Sequence, residues 1–138
     1  MSNGSKPNRA KSTPDPGDDG TSLAALKERG RLFCEAREWD PFHGAKDLAI
    51  GVITEAAELL EHFRFRSESE VEALFSEPTE RSRIESELAD VMIFALRFAQ
   101  KYDIDLAVAI RSKLERNETR YPVGSSRGNN QKARTERP

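Results

Sequence analysis

Residues 84–99, IESELADVMIFALRFA, decide the fold of this chain. Apolar side chains recur there every three or four residues, which is the spacing of one helical face, and further apolar residues lie beside that face. The main stripe consists of Ile84, Leu88, Val91, Ala95 and Phe98, with Phe94 alongside. We therefore predict a central helix that begins near Pro78, a residue suited to a first helical turn, and ends near Tyr102.

Four further segments share this helical periodicity. They run from a cap at Thr21 or Ser22 to about Trp39, over 45–65, over 67–75, and from a cap at Asp105 to about Tyr121. No segment alternates polar and apolar residues as a strand does. The predicted class is therefore all-α, a bundle of four main helices with one additional short helix.

Composition divides the chain into one domain and two tails. Residues 1–20 contain no leucine, isoleucine, valine or aromatic residue, and residues 123–138 carry four basic side chains against the single acid Glu136. Such segments bury too little apolar surface to fold, so we expect both to be disordered. The domain is expected at 21–122.

Charge and cysteine content exclude several classes of protein. A net charge of -2 and a pI near 5.8 argue against binding to a nucleic acid polymer, which requires a basic surface. Cys34 is the only cysteine, which excludes a disulfide framework and fits a reducing compartment. The apolar run 88–99 is too short to span a bilayer and Met1 precedes no apolar signal core, so we expect a cytoplasmic protein with no membrane partner.

Two pairs of acids stand where the helical pattern calls for apolar residues. Glu55 and Glu58 are three residues apart on one helix, and Glu87 and Asp90 repeat the spacing on the central helix. Four buried carboxylates repel one another unless a cation lies between them, and Mg²⁺ or Mn²⁺ prefers such oxygen ligands. The pattern predicts a metal site, and the alternative is that each pair lies on a solvated helix face.

Two other clusters carry polar or aromatic groups suited to a nucleotide. The last helix presents donors for phosphate oxygens, although cations also favour a helix C-terminus for electrostatic reasons alone. These donors are Lys113, Arg116, Asn117, Arg120 and Tyr121. In the loop before the second helix, Trp39 can stack on a base and His43 can bond to a base or a phosphate. The alternative for these loop residues is a place in the core.

Three motifs carry a resemblance to a known family. They are REWDPFHGAKDLAIGVITEAAELLEHFRF at 37–65, ELADVMIFAL at 87–96 and KLERNETRYP at 113–122. In this order they resemble the MazG-type all-α nucleoside triphosphate pyrophosphatases, in particular the dCTP pyrophosphatase branch. The resemblance extends over residues 23–122.

The resemblance implies an enzyme that splits a nucleoside triphosphate into the monophosphate and pyrophosphate. It implies that Mg²⁺ is held by Glu55, Glu58, Glu87 and Asp90. We expect one of these four acids, with Glu55 and Glu58 the favoured candidates, to orient or deprotonate the attacking water. The resemblance places Trp39 near the base, and near the phosphates it places Lys113, Asn117, Arg120 and Tyr121. It also implies a homodimer or homotetramer, which agrees with a central helix that is apolar on more than one side.

Three positions depart from the dCTP branch. Phe65 stands where the branch has tryptophan, Phe94 where it has tyrosine, and Gly30 where it has histidine. The family places these positions close to the base, so Phe65 and Phe94 join Trp39 and His43 as candidate substrate contacts. The expected substrate is dCTP or a modified dCTP. The alternatives are a diphosphatase for dUTP or another triphosphate, and a non-catalytic helical binding module.

Overall fold

Six α-helices follow one another in the computed structural model, which describes residues 16–133. They are α1 (Leu23–Glu35), α2 (Ala45–Glu61), α3 (Glu68–Ser76), α4 (Pro78–Lys101), α5 (Leu106–Arg120) and α6 (Val123–Ser126). A 3-10 turn at Asp40–Phe42 lies between α1 and α2. No strand is present within 16–133, which confirms the predicted all-α class.

Short polar side chains cap three of the six helices. Ser22, rather than Thr21, caps α1 by accepting a hydrogen bond from the Ala25 amide. Ser67 opens α3 in a capping box with Glu70, and Asp105 opens α5. These residues satisfy amide groups that have no partner within the helix, so the starts of these helices are encoded locally.

Two helices end earlier than the periodicity predicts. α1 ends at Glu35 rather than near Trp39, and Glu38 then adopts a left-handed φ of 54°. α2 ends at Glu61 rather than at Phe65, which itself has a φ of 63°. Residues in this conformation cannot continue a right-handed helix, so the apolar residues that follow each helix belong to turns.

α4 is the central element, as predicted. It packs against α1, α2 and α3, and its most extensive contact is with α2. The buried apolar residues come from four helices and are Cys34, Leu48, Leu74, Ile84, Leu96 and Ala99. At Gly51 the α2 backbone approaches α4 so closely that a Cβ there would lie 2.4 Å from Cδ1 of Phe94. Because Gly51 has no side chain, the Phe94 ring can pack directly against the α2 backbone.

The last two helices lie at the edge of the fold. α5 has no buried residue, and the Lys27 ammonium of α1 donates to the Ile104 carbonyl just before it. α6, a single helical turn, lies within the segment 123–138 that the composition predicts to be a disordered tail. Residues 1–15 and 134–138 of the predicted tails lie outside the described residues. Between 16 and 133, no helix is both long and apolar enough to cross a membrane.

Candidate functional site

Three of the four predicted metal ligands meet where α2 faces α4. One carboxylate oxygen each from Glu55, Glu58 and Glu87 lies within 4.8 Å of the others. Asp90, one turn beyond Glu87 on α4, is not part of this close group, but its charge still acts on Glu55. The packing of two helices thus joins two acid pairs that are about thirty residues apart in the chain.

The electrostatics of this group are unfavourable for carboxylates alone. Burial and then the negative charges of Glu58, Asp90 and Glu87 raise the pKa of the Glu55 carboxyl above its ordinary value. Within residues 16–133 no lysine or arginine forms an ion pair with any of these four acids. The repulsion therefore has no counterion from the described part of the chain.

Neighbouring acids on the same helices behave differently. Glu61 of α2 pairs with Arg64 at 3.0 Å, and Glu85 of α4 pairs with Arg81 at 2.8 Å. Glu61 and Glu85 are thus ordinary surface acids with basic partners, whereas the cluster of Glu55, Glu58 and Glu87 has no such partner among residues 16–133. A set of carboxylate oxygens without a basic partner fits a hard divalent cation, which supplies the missing positive charge.

A cavity of about 390 Å³ lies between α1, the loop that follows it, and α4. Its wall contains Trp39, His43 and Phe94, three of the residues predicted to contact substrate, and also Gly30. The other lining residues are Leu26, Lys27, Arg29, Phe33, Cys34, Ile93, Leu96 and Arg97. A concave, largely apolar site with a few polar groups is typical of a small-molecule pocket.

Trp39, in the loop that lines the cavity, makes edge-to-face contacts with two other rings. The ring centroid of Trp39 lies 5.8 Å from that of Phe33 and 6.2 Å from that of His43. Trp39 remains 42% exposed, so it is not an ordinary core residue. Its packing leaves part of the indole available to a ligand in the cavity.

Phe94 connects the cavity with the two helices that carry the carboxylates. Phe94 lines the cavity and follows Asp90 by four residues, while Gly51, on which its ring rests, precedes Glu55 by four. Four helical residues rise about 6 Å. The Phe94 wall of the cavity is therefore about one helical turn from Asp90 on α4 and, through its contact with Gly51, from Glu55 on α2.

The remaining predicted contacts lie elsewhere. Phe65 is 96% exposed and is not part of the cavity wall, and the Arg64 guanidinium lies 5.1 Å from its ring. No α5 residue belongs to the acidic group or to this cavity within the described chain. The α5 candidates are Lys113, Asn117, Arg120 and Tyr121. The Tyr121 amide donates to the Asn117 carbonyl at 2.7 Å, and Arg120 contacts the Tyr121 ring and the Ala133 carbonyl.

Sequence reasoning missed two residues at this site. Arg97 is 3% exposed and lies against the cavity. Its signal in the sequence is a basic residue inside the apolar run 91–99. Gly51 is the second, and its signal is a glycine in the interior of a predicted helix.

A family model and individual relatives match this chain. The model of the MazG-like family matches residues 50–135. The dCTP pyrophosphatase 1 of Mus musculus is 36% identical over 116 residues, which are 84% of this chain and 65% of that protein. The Homo sapiens protein of the same name is 30% identical over 91% of this chain and 71% of its own length. The chain thus spans about two thirds of the length of these relatives.

A solved structure extends the similarity to three dimensions. A pyrophosphatase from Archaeoglobus fulgidus has a TM-score of 0.68 and 34% sequence identity, over 72% of this chain and 92% of the other. The match agrees with the all-helical fold described above. Together with the family model, which covers more than half of the sequence, it shows that this chain belongs to the MazG-like family.

Proposed function

We propose that this protein is a divalent-metal-dependent nucleotide pyrophosphohydrolase that converts dCTP, or a modified dCTP, to the monophosphate and pyrophosphate. The observation that carries the proposal is an apolar, aromatic cavity whose Phe94 wall lies about one helical turn from Glu55 and Asp90, in an acidic cluster with no basic partner among residues 16–133. A nucleoside triphosphate has the matching order of parts, a flat base at one end and a polyanion at the other. The names of the similar proteins support the same activity.

The acidic residues would hold the metal. Glu55, Glu58 and Glu87 offer the closest set of oxygens, and Asp90 adds a fourth carboxylate nearby. Mg²⁺ or Mn²⁺ bound there would neutralise charge on the phosphate oxygens and lower the pKa of a coordinated water. Glu55 or Glu58 would orient or deprotonate the water that attacks the α-phosphorus, and pyrophosphate would leave.

The cavity would hold the base. Trp39 and Phe94 offer aromatic surface for stacking, and His43 offers a polar group at the same wall. Phe65 and the α5 residues Lys113, Asn117, Arg120 and Tyr121 remain predicted contacts. Assembly into a homodimer or homotetramer is also part of the proposal, since it would cover the exposed apolar side chains of α5.

The test is metal-dependent pyrophosphate release from a panel of ribo- and deoxynucleoside triphosphates. Glu58→Gln and Asp90→Asn should each lower kcat/KM by about 10²–10³-fold, the scale expected when a preorganised charge-stabilising group is lost. Glu61→Gln and Glu85→Gln are matched controls, because these acids lie on the same two helices but pair with arginines. Their activity should stay within about twofold of the original protein, as for surface substitutions without special contacts.

The panel distinguishes the alternatives. Release led by dCTP or a modified dCTP supports the full proposal, while release led by dUTP supports the chemistry and contradicts the base. Absence of turnover with every triphosphate, together with no thermal shift on adding Mg²⁺, contradicts the enzyme and favours a binding module.

A further inference from the structure

Arg97 is a buried cation in the wall of the cavity. Its side chain is 3% exposed and extends from α4 toward the loop that follows α1. One guanidinium nitrogen, Nη2, donates to Asp40 Oδ1 at 2.7 Å, and Nη1 donates to the Gln100 side chain. The third, Nε, donates to Nδ1 of His43 at 3.3 Å. All three guanidinium nitrogens are therefore engaged.

The contact with His43 determines where the imidazole carries its hydrogen. A guanidinium only donates hydrogen bonds, so the Nδ1 that accepts from Arg97 carries no hydrogen. The hydrogen of the neutral ring is then on Nε2. Burial and then the charges of Arg97 and Lys101 lower the pKa of His43, and this outweighs Asp40 and Asp47, which act in the opposite direction. The neutral ring is thus the favoured form at neutral pH.

Asp40 is held by a second cation. The Lys101 ammonium, one turn beyond Arg97 on α4, donates to the Asp40 carbonyl at 2.6 Å and lies 3.3 Å from its carboxylate. Anchoring of the loop is therefore shared between two side chains. Only Arg97 also bonds to His43.

We propose that Arg97 is a positioning residue for base recognition, which holds His43 as a hydrogen-bond donor at the cavity wall. The cavity would then select a base that presents an acceptor at this point, a carbonyl oxygen or a ring nitrogen with a free lone pair. This inference rests on the proposed function for the identity of the ligand. The state of His43 itself does not depend on catalysis.

The first test is the protonation of the His43 ring, measured by long-range ¹H–¹⁵N NMR at neutral pH. The chain has two histidines, so the signals of His62 serve as an internal control. The expected result is a bare Nδ1 and a protonated Nε2. In Arg97→Met the two ¹⁵N shifts of His43 should move toward each other as both neutral forms become populated. A hydrogen on Nδ1 in the original protein would overturn the proposal even if the variant does not fold.

The second test separates positioning from loop anchoring. Arg97→Met should raise the KM for dCTP about tenfold, the loss expected for one buried hydrogen bond, with kcat within about twofold. Lys101→Met removes a cation from the same Asp40 anchor but keeps the hydrogen bond from Arg97 to His43, so its KM should stay within about twofold. Equal increases in KM for both variants would mean that Arg97 only anchors the loop, and an unchanged KM in Arg97→Met would also contradict the proposal.

Analogues of the base test the acceptor itself. 3-Deaza-dCTP lacks one ring acceptor and 2-thio-dCTP weakens the carbonyl acceptor. The original protein should bind at least one of them more weakly than dCTP, and Arg97→Met should reduce that difference. Equal discrimination in both proteins would contradict the inference. If no triphosphate is hydrolysed, the proposed function fails, while the NMR result still decides the role of Arg97.

Discussion

The raised pKa of Glu55 makes the stability of the metal-free protein depend on the charge of this one residue. Its folded-state pKa lies above its ordinary value of 4.5 because burial and three neighbouring carboxylates disfavour the ionised form. The carboxylate therefore destabilises the metal-free fold once it is ionised. The shift leaves the free energy of unfolding unreduced at pH values below the pKa of Glu55 in the unfolded chain. The free energy of unfolding then decreases as the pH rises through the higher pKa of Glu55 in the folded protein.

We expect Glu55→Gln to raise the free energy of unfolding of the metal-free protein at neutral pH, because it removes one of the repelling charges. The difference between the two proteins should decrease as the pH falls through the raised pKa of Glu55, because the folded protein then carries Glu55 in its neutral form. Urea unfolding in EDTA at several pH values measures both effects. A less stable Glu55→Gln protein at neutral pH would contradict this account of the cluster.

Two glycines within helices differ in the space available for a side chain, and this difference predicts opposite effects of alanine substitution. A Cβ at Gly30 of α1 would meet nothing within 4 Å, whereas a Cβ at Gly51 of α2 would lie 2.4 Å from the Phe94 ring. Gly30→Ala should raise the free energy of unfolding by about 0.5–1 kcal/mol, through higher helix propensity. Gly51→Ala should lower it by about 1–3 kcal/mol, because the ring must shift.

Urea denaturation of the two alanine variants checks this pair, and each variant is the control for the other. The same substitution in two helices removes propensity as an explanation of any difference in sign. Stabilisation by Gly51→Ala would show that the close approach of α2 to α4 is not needed for packing.

At the scale of the whole molecule, α5 exposes apolar side chains. Ile110 is 51% exposed and Leu114, one turn further on, is 56% exposed. Apolar residues aligned on one helix face are typical of a surface that another protein covers. A second copy of this chain is the proposed partner.

Ile110→Glu combined with Leu114→Glu should therefore shift the protein toward the monomer, because two charges would have to be buried in the interface. Sedimentation velocity at micromolar concentration measures the mass. Arg111→Glu changes the charge of α5 on a different face and should leave the assembly unchanged. A monomeric original protein would contradict the proposed assembly.

The sequence by itself determined the all-α class, the cap of α5 and the two acid pairs, and it limited the cap of α1 to Thr21 or Ser22. These features depend on residues three or four apart, whose spacing on a helix is set by local geometry. The resemblance to the MazG type, carried by the order of the motifs, is confirmed by the family model. Helix ends were less predictable, since apolar residues such as Phe65 continue the period after the backbone has left the helix.

Only the tertiary structure decided which of these residues meet. The bond between Arg97 and His43 joins positions 54 residues apart, and the contact of Gly51 with Phe94 depends on how closely α2 approaches α4. It also placed Phe65 in solvent and kept the α5 candidates away from the cavity. Helical periodicity states which face is apolar, whereas side-chain packing between helices determines which partner that face contacts.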